Sequence, residues 1–66
     1  MNMLLGEKLK KARKNIGMSQ NEVAEELMLS RQTISKWEMD QVYPEIPKLI
    51  EIGRMFHCKI DVLLKE

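Results

Sequence analysis

Cysteine is nearly missing. Cys58 is the only one, so the chain has no internal disulfide, which fits a reducing compartment. Cys58 and the single histidine, His57, adjoin each other, but there is no second Cys or His to complete a metal or catalytic set; a corner histidine and a small buried thiol are expected there. No cofactor and no catalytic residue is expected. No nucleophile–base pair, carboxylate pair or glycine-rich phosphate loop is present, so an enzyme is a distant reading. Alternation of β-branched residues is absent, which argues against strands. Glycine is confined to Gly6, Gly17 and Gly53, and no stretch reads as a linker or repeat. No apolar run approaches a membrane span, and Met1–Leu5 is too short for a signal sequence, so the expected location is the cytoplasm, with no membrane partner. Charge of one sign is lacking too. A net charge of +1 argues against strong indiscriminate binding to polyanions, while leaving room for a local basic patch.

What is present is helical spacing. The 66 residues suffice for one small domain, 1–66, and 44 % hydrophobic residues allow a core without staples. Leu5, Leu9, Ala12 and Ile16 fall on one helical face, with Lys8, Lys10, Lys11 and Lys14 opposite. Gly17 suits a left-handed stop. Ser19-Gln20-Asn21-Glu22 has the form of a capping box, opening a second helix with Val23, Ala24 and Leu27 inward. Met28-Leu29 then precedes Ser30, a second N-cap, so two short helices meet at a tight corner. The third helix ends near Glu38, and residues 39–44 read as a loop. Pro44 and Pro47 fix the start of a fourth helix, whose buried face is expected to be Leu49, Ile50, Gly53 and Phe56, flanked by Ile46 and Ile52. Asp61 opens a last helical turn through Leu64. The expectation is an all-α fold of five short helices around one core.

The third helix carries the functional signal. At about 100° per residue, Arg31, Gln32, Ser35 and Lys36 cover one half of it, and Thr33, Ile34 and Trp37 the other. Most such polar faces only meet water. This one has no carboxylate before Glu38, and its arginine and glutamine have the geometry for paired hydrogen bonds to guanine and adenine.

Residues 7–64 resemble the XRE-type helix-turn-helix family, which includes the Cro and lambda-type phage repressors. The matching residues are Ser19-Gln20-Asn21-Glu22-Val23-Ala24, then Leu29-Ser30-Arg31-Gln32-Thr33-Ile34-Ser35-Lys36-Trp37-Glu38, Pro44, and Leu49-Ile50 through Phe56 to Ile60-Asp61-Val62-Leu63-Leu64. The resemblance implies a lambda-repressor-like domain with a central helix-turn-helix whose third helix enters the major groove of double-stranded DNA. By position it implies base contacts from Arg31, Gln32 and Lys36, with Ser35 close by. It implies phosphate or backbone contacts from Gln20 and Thr33, and an ion pair between Arg13 and Glu38 that leaves Arg13 near the phosphates. The implied function is a sequence-specific transcriptional regulator, most often a repressor, acting as a homodimer on a palindromic operator.

Two positions depart from the family pattern. Met28 stands where glycine is common at the corner, so either left-handed strain is present or the corner is built differently. The loop after the third helix commonly reads E-x-G followed by basic residues; here Glu38-Met39-Asp40-Gln41-Val42-Tyr43 offers no cation, which weakens phosphate binding. Glu22, Glu25 and Glu26 make an acidic face expected to point away from DNA. The six methionines read as start, turn and filler positions. Val42 and Tyr43, with Phe56-His57-Cys58 and the final turn, are the expected dimer surface. The alternative function is an antitoxin or a protein-interaction adaptor on the same fold, which the near-neutral charge favours and which would bring a protein partner.

Overall fold

A computed structural model describes residues 4–58. Within them lie α1 (Leu5–Asn15), α2 (Gln20–Leu27), α3 (Arg31–Glu38) and α4 (Ile46–Met55), and no strand. The described residues therefore hold four helices rather than five; the expected turn at 61–64 lies outside them. No helix among the described residues is long and apolar enough to cross a membrane.

Each helix begins and ends for a local reason. Ser19 and Glu22 form the reciprocal capping box at the start of α2, with Glu22 N–H donating to Ser19 Oγ at 3.1 Å and Ser19 N–H to Glu22 Oε1 at 2.8 Å. Ser30 caps α3 by accepting from Thr33 N–H at 3.2 Å. Leu4, at the N-cap of α1, has no side chain for that purpose. Asp40 supplies the missing acceptor from far along the chain, taking the Gly6 N–H on Oδ1 at 3.0 Å. Pro47 sits in the first turn of α4, where its missing N–H does no harm.

All four helices end in the same way. Gly17, Met28, Asp40 and His57 each adopt a left-handed conformation just past a helix. In each case the next residue's N–H folds back onto a carbonyl five residues earlier: Met18 to Arg13, Leu29 to Ala24, Gln41 to Lys36 and Cys58 to Gly53, at 2.8–3.2 Å. Only Gly17 adopts this without steric cost; a side chain there costs about 1–2 kcal/mol. The strain at Met28 is thus present, with φ 58° and ψ 42°. Met18, Leu29 and Cys58 offset their bends by packing against the core. Gln41, after α3, does not; it is exposed.

The core joins Leu9 and Ala12 of α1, Val23, Ala24 and Leu27 of α2, Ile34 and Trp37 of α3, and Ile52 and Phe56 at the far side. α3 packs against both α1 and α2. On α4 the buried face is Leu49, Ile52, Gly53 and Phe56, not the expected set. Ile50 is exposed and Ile52 is among the most buried residues. The steps 49, 52, 53 and 56 follow the i, i+3, i+4, i+7 rule, whereas position 50 is turned about 100° away from 49. Phe56 belongs to the core and so is removed from the expected dimer surface.

Candidate nucleic-acid interface

α3 is anchored by its apolar side. Ile34 and Trp37 are buried, which turns Arg31, Gln32 and Lys36 to the exterior, all three exposed. Ser35 and Thr33 flank this face and are half-buried. Thr33 Oγ1 lies 3.0 Å from Ser30 Oγ, so its hydroxyl shares the cap of its own helix. The outward face carries no carboxylate, since Glu38 is drawn inward.

Glu38 is the centre of a polar network beneath that face. Arg13 Nε donates to Glu38 Oε2 at 2.6 Å and Arg13 Nη2 to Oε1 at 3.1 Å, a two-pronged pair whose side chains are 9 % and 5 % exposed. A third Arg13 group, Nη1, donates to the Met18 carbonyl at 2.9 Å. The guanidinium thus ties α1 to the corner that precedes α2 and to the end of α3. Gln20, the first residue of α2, extends the network outward. Its Nε2 donates to Glu38 Oε1 at 3.0 Å, and its Oε1 accepts from Arg31 Nη1 at 3.3 Å. A continuous chain runs Arg13–Glu38–Gln20–Arg31, from the protein interior to the first side chain of the outward face.

The family resemblance pointed to each of these residues and to the Arg13–Glu38 pair, but not to the links that run through Gln20. Arg13 and Glu38 meet at the expected positions. Gln20 lies at the start of α2, yet it bridges Glu38 and Arg31 in addition to facing solvent, and no spacing signal could have shown this. The Asp40–Gly6 bond was equally hidden; Asp40 takes the left-handed position after α3, which aspartate tolerates better than most side chains. Lys48 Nζ, from α4, approaches the Leu27 carbonyl at the end of α2 at 3.4 Å, a cation placed at the negative end of a helix. On α1, Lys10, Lys11 and Lys14 are exposed and Lys8 half-buried. No cluster of His, Cys, Asp and Glu that could hold a metal ion exists among the described residues.

Residues 9–63 match the helix-turn-helix family. The chain belongs to the XRE-type helix-turn-helix family. Its curated relatives are transcriptional regulators. The HTH-type transcriptional activator BcrR of Enterococcus faecalis is 40 % identical over 62 residues, which is 94 % of this chain and 30 % of BcrR. The HTH-type transcriptional regulator ImmR of Bacillus subtilis (strain 168) is 34 % identical over 62 residues, 94 % of this chain and 49 % of ImmR. This helix-turn-helix chain thus spans half or less of the length of those two proteins. Among solved structures, the P22 c2 repressor in complex with synthetic operator 9T superposes with a TM-score of 0.89 at 28 % identity, covering 97 % of both chains. The N-terminal DNA-binding domain of SinR from Bacillus subtilis superposes at 0.83 with 27 % identity, covering 94 % of this chain and 91 % of that one. These two solved domains superpose on the fold described above, and the family's members regulate transcription by binding DNA.

Proposed function

We propose that this chain is a sequence-specific DNA reader that regulates transcription, with α3 in the major groove. The observation that carries the reading is the division of α3: Ile34 and Trp37 lock it to the core, and Arg31, Gln32 and Lys36 stand outward on a face without a carboxylate. Arg31, Gln32, Ser35 and Lys36 take the base edges. Gln20 and Thr33 take phosphates at the flanks, Gln20 through its remaining Nε2 hydrogen. Arg13, only 8 % exposed and with three N–H groups already bound within the protein, acts on DNA through Glu38 and Gln20 rather than by touching phosphate. The likeness to the P22 c2 repressor, whose structure was determined with an operator, supports this placement.

In the same proposal two copies bind a palindromic site, their reading helices about 34 Å apart, one turn of DNA. Val42 and Tyr43 remain candidates for the contact between copies, joined by Ile46 and Ile50, all exposed. The bound pair represses by covering the promoter. Selection from random duplexes tests the reading. It is expected to enrich a two-fold symmetric sequence, and Arg31→Ala is expected to lose about 1–3 kcal/mol on that sequence while relaxing the preference at one base pair. No enrichment at low salt would sink it. The alternative, a protein-interaction module, draws on the same exposed apolar residues and on the cation-free loop at 39–43; a partner captured in a pull-down together with no DNA shift would favour it.

A further inference from the structure

Met39 is a large apolar side chain held in water. It is 61 % exposed at the C-cap of α3, where a polar residue would be the easier choice. Its direction is not arbitrary. At about 100° per residue, Gln32, Ser35, Lys36 and Met39 fall within one arc of about 100°, and Met39 lies near the middle of it, opposite Ile34 and Trp37. The contact pattern agrees: Ser35 Oγ donates to Met39 Sδ at 3.6 Å, laying the thioether back along the outward face instead of letting it trail into the loop. Met39 thus continues the stripe assigned to base reading, about 5 Å beyond Lys36 along the helix axis.

The chemistry of the side chain decides what it can meet there. A thioether has no hydrogen to donate, so it gives nothing to a phosphate oxygen or to the acceptor edge of guanine. The one apolar feature on the floor of the major groove is the pyrimidine C5-methyl, which ordinary DNA carries on thymine alone. We propose that Met39 is a specificity residue that packs on the methyl group of a thymine one or two base pairs from the one read by Lys36. This rests on the DNA-reading assignment above, and it adds to that assignment a base preference at a position beyond the hydrogen-bonding residues.

The test uses the sequence enriched by the wild-type protein, resynthesised with each thymine in turn replaced by deoxyuracil, which removes only the methyl group. Wild type is expected to lose affinity about three- to five-fold at one such position, the effect of withdrawing one buried methyl. Met39→Ala is expected to bind the all-thymine site about ten-fold more weakly and to be indifferent to the replacement at that position. Met39→Leu, equally apolar, keeps the methyl sensitivity. Because Met39 is exposed, the variants are expected to unfold at the wild-type temperature, and a melting curve for each verifies that the fold is intact. Equal sensitivity of wild type and Met39→Ala at every thymine overturns the proposal while leaving the DNA-reading assignment standing. A wild-type protein that enriches no sequence removes both.

Discussion

Replacing Glu38 by glutamine removes the charge at the centre of the network and leaves nearly everything else in place. Arg13 then keeps a partner of the same shape but not of opposite charge, inside a site where the two side chains are 9 % and 5 % exposed. Breaking one partner of a fully buried pair costs about 3–5 kcal/mol. The slight exposure here favours the lower end, about 3 kcal/mol. A 66-residue domain has roughly 3–10 kcal/mol of stability in all, at 0.05–0.15 kcal/mol per residue, so the loss is a large share. The melting temperature should fall by about 12–24 °C, taking 4–8 °C per kcal/mol for a domain of this size. Urea unfolding followed by the fluorescence of Trp37, the single tryptophan and a core residue beside Glu38, reads the change directly. A second variant separates the role of the pair in stability from its role in binding. Arg13→Met with Glu38→Leu replaces the ions by apolar groups and is expected to recover most of the stability. It leaves Gln20 without its carboxylate acceptor, so affinity for the enriched DNA should stay reduced. A Glu38→Gln protein within about 1 kcal/mol of wild type, or a double variant no more stable than the single one, would refute the reasoning.

Met28 is 91 % exposed and left-handed, so Met28→Gly relieves strain without losing packing; a net gain of about 0.5–1 kcal/mol, a few degrees in melting temperature, is expected. Gly6→Ala should act in the opposite sense. Its new Cβ would meet the Glu38 carbonyl and stand 2.8 Å from Asp40 Oδ2; the carbonyl is backbone and cannot swing aside, so calorimetry should record a loss of about 1–3 kcal/mol. Hydrogen bonds from the Ser19 backbone N–H, and then from its side chain, hold the Glu22 carboxyl below the ordinary glutamate value. A carboxyl depressed by folding contributes stability above its unfolded pKa and loses it as pH falls through the folded one, so Glu22→Gln should flatten part of the acid limb of a stability–pH curve by lowering stability at neutral pH while leaving the acid end little changed. An unaltered acid limb would mean that the capping box does not persist in solution.

Much of this was legible because it is local. The capping box at Ser19, the cap at Ser30, the left-handed stop at Gly17 and the inward set of α2 each need only a few adjacent residues, and local rules suffice for them. Ile50 and Ile52 mark where the rule was misapplied: with Leu49, Gly53 and Phe56 inward, the i, i+3, i+4, i+7 spacing selects Ile52, and Ile50, though equally apolar, lies about 100° from Leu49. The interface was legible as a set of residue types on one side of α3. Its internal wiring was not, since the bonds Gln20–Glu38, Gln20–Arg31 and Asp40–Gly6 join positions 18, 11 and 34 residues apart whose meeting depends on the whole fold.

The acidic loop after α3 has a physical account that the cation-free sequence alone did not supply. Three of the four helix ends are steadied by an apolar residue that follows the left-handed position and docks on the core; the end of α3 is followed instead by exposed Gln41. Two carboxylates take over that duty. Glu38 grips α1 at Arg13 and Asp40 grips it at Gly6, seven residues or about 10 Å apart along the helix. Two fixing points on one rigid element restrict rotation of α3 as well as translation, which matters for a helix whose side chains must meet base edges in register. Asp40 also places its charge at the positive N-terminus of α1, where it is favourable. Its negative charge opposes phosphate contact by the loop, so the arrangement trades electrostatic attraction at 39–43 for a reading helix held in one orientation. In a DNA reader built this way, discrimination between sequences should exceed what the near-neutral net charge suggests, and affinity for arbitrary DNA should be low.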